Sequence, residues 1–151
     1  MPAAGDIISI DDILQPKFVG LLSGTIANNS VTTLTPASAL VNVGAMWSSG
    51  TNIVIPAGMD GEFELGIVLR YASQAAVVGF RQCRIVVNGA ELMQWNVAPT
   101  TALNNTNTMA WGSIRTVLDA GDVVTFAAYQ NSGGSLALTG SSTCCVERVI
   151  Q

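Results

Sequence analysis

From residue 31 onward, apolar and polar residues alternate with a period of two, the spacing of a strand with one face buried. The alternation is clearest over Gly61–Tyr71, where Phe63, Leu65, Ile67 and Leu69 share one face and Glu62, Glu64, Gly66, Val68 and Arg70 share the other. The same period predicts strands over Val31–Thr35, Thr51–Ile55, Val77–Val87, Glu91–Val97, Met109–Leu118, Val123–Gln130, Ser135–Leu138 and Thr143–Ile150. Pro56-Ala57-Gly58, Asn88-Gly89, Asp119-Ala120-Gly121-Asp122 and Asn131-Ser132-Gly133-Gly134 punctuate them. Asn-Gly specifies a two-residue hairpin, because both residues accept positive φ. In the Asp-Ala-Gly-Asp turn, Gly121 tolerates positive φ and a carboxylate of Asp119 or Asp122 can bond the turn amides. Between residues 36 and 50 the alternation is weak and predicts little.

The first 30 residues read differently. Ser9 with Asp12 three residues later forms a capping-box pattern, and Ile10, Ile13 and Leu14 then fall on one helical face. A short helix over residues 6–15 would stop before Pro16. Ten residues do not hold a helix alone in water, so the segment needs a surface to lie on. Residues 17–30 mix large apolar residues with Gly, Ser and Asn and read as extended arm or coil. The expected organisation is an N-terminal, partner-binding arm over 1–30 and one β domain over 31–151. A chain starting near Val31 is expected to keep the domain and its self-association.

Composition narrows the function. Of 151 residues, charged ones make up 11%, against roughly 25% in an ordinary domain. There is no His, which removes His-based general bases, Ser-His-Asp and Cys-His catalysis and His metal sites. Glu62/Glu64 and Asp119/Asp122 are paired carboxylates without a visible perturbing partner. No phosphate loop, dinucleotide fingerprint or metal-ligand spacing occurs. Neither a catalytic site, a metal nor a cofactor is expected. The net charge of −4 argues against nucleic acid. No apolar run reaches the length of a membrane helix, and the acidic start lacks the basic n-region of a signal peptide. Cys83, Cys144 and Cys145 make no disulfide framework; they read as small apolar fillers, with Cys144 and Cys145 on opposite faces of a strand. Two features read first as structure and second as ligand sites: the polar stretch TTALNNTNT as a solvated connection or else a site for a sugar or a neighbouring protein, and Trp47, Trp95 and Trp111 as core or interface packing or else a carbohydrate site.

Four segments carry a family likeness: IPAGMDGEFELGIVLRY, RIVVNGAELMQW, IRTVLDAGDVVTFAAYQNSGG and STCCVERVI. Their order and spacing resemble the jelly rolls of the complement globular heads and tumour necrosis factor, as found also in bacteriophage virion proteins. The likeness covers about residues 45–151. It implies an all-β antiparallel jelly-roll sandwich of eight to ten strands and a homotrimer, with one sheet of each protomer facing the threefold axis. Glu64, Val68, Arg70, Trp111, Arg115 and Val117 then face a neighbour, with Glu64 and Arg115 as a candidate cross-subunit pair. A sheet facing water would not normally carry Val68, Trp111 and Val117.

Two functions of different class follow as expectations. The first is a non-enzymatic virion protein, a trimeric capsid decoration or cement protein made in the host cytoplasm and located on the capsid surface. Ile7, Ile8, Ile10, Ile13, Leu14 and Phe18 of the arm would anchor it to the major capsid protein or another virion protein. The alternative is a receptor- or glycan-binding tip of a phage tail fibre or bacterial surface. Neither involves a membrane or nucleic acid.

Overall fold

The computed structural model describes residues 15–73, 78–98 and 108–149, in which all regular structure is β. Twelve strands run in chain order: β1 (Lys17–Leu22), β2 (Thr25–Ile26), β3 (Thr32–Leu34), β4 (Pro36–Val43), β5 (Ile53–Val54), β6 (Gly61–Tyr71), β7 (Arg81–Val87), β8 (Ala90–Val97), β9 (Thr108–Leu118), β10 (Val123–Gln130), β11 (Leu136–Ala137) and β12 (Ser142–Arg148). They form two facing sheets. The first has the order β4-β1-β12-β6-β9; the second has β3-β10-β7-β8, with β5 also on β10. β2 and β11 make a short separate pair. Paired strands are antiparallel throughout, and the chain passes back and forth between the layers, which is a jelly roll.

The core follows from the period of two. β6 contributes Phe63, Leu65, Ile67, Leu69 and Tyr71, and β12 adds Cys144 and Val146. From the second sheet, Cys83, Ile85, Val124, Phe126 and Ala128 meet them. Tyr71 brings a hydroxyl into this interior and donates it to the Gln82 carbonyl at 2.6 Å. Burial pushes its ionisation well above the ordinary tyrosine range, so the ring stays neutral. Burial likewise pushes the Cys83 and Cys144 thiols up to about 12, which suits packing and not nucleophilic chemistry.

Turn chemistry locks the ends. Asn88 and Gly89 take φ of 51° and 79°, as the hairpin signal requires. The Asn88 side chain donates to Asp122 Oδ1 at 2.8 Å and accepts from the Val123 amide at 2.9 Å. Asp122 Oδ2 accepts from the Asp119 amide at 2.8 Å, so Asp122 is the carboxylate that closes its turn. These bonds tie the β7–β8 hairpin to the β9–β10 turn and hold the Asp122 carboxyl below the usual carboxylate range, the Asn88 amide first among the causes.

One expectation is overturned. Residues 17–22 are not arm but an interior strand, β1, hydrogen-bonded to β4 on one side and β12 on the other. Phe18, expected to anchor the arm to a partner, is wholly buried and packs against Trp47 with ring centroids 5.8 Å apart and planes tilted by 46°. The reason is plain in β1 itself: Lys17, Val19 and Leu21 alternate with buried Phe18, Gly20 and Leu22. The β domain therefore starts near residue 17, and β4 fills the region that the sequence left blank. The expected helix over residues 6–15 and the anchor residues Ile7, Ile8, Ile10, Ile13 and Leu14 lie outside the described residues.

Candidate assembly interface

The outward face of the first sheet is set by strand register. Directly opposed residues in antiparallel strands share a face, so the pairings β4·β1, β1·β12, β12·β6 and β6·β9 assemble rows across the sheet. One row reads Val43, Lys17, Glu147, Glu64, Arg115. The next outward row reads Val41, Val19, Cys145, Gly66, Ser113, and the one after it Ser38, Leu21, Thr143, Val68, Trp111. Beyond these, Arg70 opposes Met109 at one end of the β6·β9 pair and Glu62 opposes Val117 at the other.

This face is apolar at its centre. Trp111, beside Val68, is 62% exposed, and Val117, on the far side of the Glu64–Arg115 row, is 72% exposed. Between the two apolar rows runs a groove of about 320 Å³, floored by Gly66, Ser113 and Cys145 and walled by Val19, Val68 and Trp111. A Cβ at Gly66 would come within 2.8 Å of the Cys145 sulfur, so a larger residue there would have to displace that side chain. The Cys145 thiol is itself pushed up, by burial first and then by the charges of Glu147 and Glu64.

The charged row bounds the groove on one side. Lys17 Nζ meets Glu147 Oε1 at 2.8 Å and Arg115 Nη2 meets Glu64 Oε2 at 3.4 Å, all four side chains partly exposed. The Glu64–Arg115 pair, expected to bridge two subunits, thus closes within one chain, because Glu64 and Arg115 are direct cross-strand neighbours. The two carboxylates are also cross-strand neighbours, so each needs its flanking cation.

All six residues expected at a neighbour, Glu64, Val68, Arg70, Trp111, Arg115 and Val117, fall on this one face. Sequence reasoning missed Val19, Leu21 and Val41, which extend it across β1 and β4; the signal was the alternation in KFVGLL, masked by its glycine. The tryptophan trio does not converge. Trp47 packs on Phe18 and donates its indole N–H to the Gly50 carbonyl at 3.0 Å. Trp95 lies flat against Gly112 across the edge of the sandwich, where any side chain would collide with its ring. Trp111 alone stands on the outward face. Most of the TTALNNTNT stretch lies outside the described residues.

No protein-family model matches the chain, and no curated protein matches it. Its fold does have solved counterparts. The crystal structure of murine APRIL at pH 8.0 superposes with a TM-score of 0.62 and 12% identity over 88% of this chain and 99% of that one. The crystal structure of murine APRIL at pH 8.5 gives 0.59 and 11% over the same shares. At such identity the likeness establishes the fold alone: a jelly roll of the tumour necrosis factor type.

Proposed function

We propose that this chain is a non-enzymatic structural protein that acts by self-association, three copies packing through the outward face of the β4-β1-β12-β6-β9 sheet. The observation that carries the reading is that apolar face, with Trp111 and Val117 more than half exposed on a single copy. A solvated sheet face normally carries polar residues, and large exposed apolar side chains on one mark an interface. The shortage of charge, 11% of residues, fits a surface largely covered after assembly. In the fuller form of the proposal the trimer decorates a bacteriophage capsid. Ile7, Ile8, Ile10, Ile13 and Leu14 supply an apolar anchor to the major capsid protein or another virion protein. Three linked anchors bind far more tightly than one, because the second and third contacts are intramolecular.

The test is the mass of the purified protein by light scattering, for wild type and for Val117→Asp. The expected result is a trimer converted to a folded monomer by the substitution. A wild-type monomer at tens of micromolar overturns self-association. Counting the protein in purified virions then tests the capsid role, which requires copies in the hundreds on the head.

A further inference from the structure

On the opposite side of the molecule, the outward face of the second sheet carries a compact aromatic and polar cluster. Tyr129 of β10 and Gln82 of β7 are direct cross-strand neighbours, and Gln82 in turn opposes Asn96 of β8. Their backbone neighbours Cys83 and Ala128 point into the core, so these three side chains point outward. Gln82 is nevertheless only 4% exposed. Its Oε1 accepts two bonds from the Arg84 guanidinium, at 2.8 Å from Nε and a further one from Nη2, and its amide nitrogen donates to Asn96 Oδ1. Arg84 Nη1 donates to Glu91 Oε2 at 2.7 Å, and the guanidinium carbon lies 5.9 Å from the centre of the Tyr129 ring. Phe80 also stacks on Tyr129, with centroids 5.4 Å apart and planes 28° apart.

The Phe80 ring is held from behind. Its amide donates to Asn131 Oδ1 at 2.6 Å, and the Asn131 amide returns a bond to the Phe80 carbonyl at 3.3 Å. Gly79, with φ of 71°, lets the chain pass so close that a Cβ would strike Asn131. The cluster is thus fixed before any ligand arrives, so little side-chain freedom is lost on binding.

From this geometry we infer that the Phe80–Tyr129 pair with Arg84, Glu91 and Asn96, positioned by the buried Gln82 amide, is a binding site for a neutral saccharide. The half-buried rim of the Phe80–Tyr129 stack offers apolar contact to the C–H groups of a sugar ring. The exposed Asn96 amide and the outer N–H groups of the Arg84 guanidinium, locked in orientation, match the paired hydroxyls along the ring edge. The Glu91 carboxylate compensates the only cation of the cluster, so the site favours an uncharged polyol over a phosphate or sulfate. The site lies on the sheet that does not bear the proposed assembly face, so a trimer would display three copies outward.

The experiment is ligand-observed saturation-transfer NMR on the whole chain, with a panel of methyl hexosides and N-acetylhexosamines as probes. Amide shift mapping follows for each sugar that responds. The expected result is saturation of at least one neutral sugar, with shifts centred on β7, β8 and the end of β10. Tyr129→Ala and Arg84→Met should each weaken binding about tenfold or more, 1.4 kcal/mol per tenfold. Asn96→Ala, on an exposed side chain of β8, leaves the apolar core untouched and should weaken binding as well. Val117→Asp should leave the monovalent affinity unchanged whatever it does to the oligomer, which separates this site from the self-association reading. Absence of saturation for every sugar, or binding equal in the folded Arg84→Met and Asn96→Ala variants, overturns the proposal.

Discussion

Single residues decide how this sandwich is closed, and Asp122 is the clearest case. Its carboxylate accepts from both the Asn88 amide and the Asp119 backbone, which stabilises the ionised form in the folded state. The folded pKa is depressed, so the contribution is present above the unfolded value near 4 and is lost as pH falls through the folded value. Asp122→Asn should therefore melt below wild type at neutral pH, and the gap should close on acidification below about pH 4, as followed by thermal circular dichroism. Tyr71→Phe removes the buried bond to Gln82 and should cost about 1 kcal/mol in urea unfolding with an unchanged denaturant slope. By contrast, Arg115→Ala breaks only an exposed cross-strand pair and should shift stability by less than about 1 kcal/mol. The Asn-Gly and Asp-Ala-Gly-Asp turns were legible in sequence because their chemistry is local. The Gln82 cluster was not, because its members become neighbours only through β7–β8–β10 pairing.

Among the elements, legibility tracked the purity of alternation. β6 runs over the stretch that its period predicts, since every second residue is large and apolar, and β10 does so because Val124 and Phe126 alternate between two clear turns. β1 is hidden in the sequence because Gly20 occupies an inward position, where Phe18 folds over it; a Cβ there would come within 2.7 Å of that ring. β4 escaped because its inner edge is made of small residues and its register is interrupted twice. These placements change what truncation should do. Removing residues 1–14 leaves all described strands intact and should preserve the cooperative melt. Removing residues 1–30 deletes β1 from the middle of a sheet and should abolish the fold, which a loss of amide dispersion in NMR would reveal. The same element logic applies at β9, where Gly112→Val would displace the Trp95 ring and should both red-shift its fluorescence and destabilise the sandwich.

At the scale of the whole molecule, the two sheets present unlike outer faces. One is apolar with a bounding row of charges; the other is polar and aromatic with its charges compensated. The sequence pointed to the first through Val68, Trp111 and Val117, and the threefold arrangement enters through resemblance. If the apolar face is covered in the assembly, all three thiols are shielded: two in the core, and Cys145 at the groove floor. Wild type should then resist a thiol reagent under native conditions. Val117→Asp should expose a single slowly reacting cysteine, identifiable as Cys145 by peptide mass mapping. Strand order also has a consequence for biosynthesis. β12, the last described strand in the chain, sits between β1 and β6 at the centre of the first sheet. Until it leaves the ribosome, β1 and β6 are two unpaired edges with Phe18, Phe63 and Leu65 uncovered, so vectorial synthesis cannot seal the core strand by strand. Closure must wait for the finished domain. A nascent chain stalled before Ser142 should be held by chaperones or aggregate, and refolding should be slow for a domain of this size.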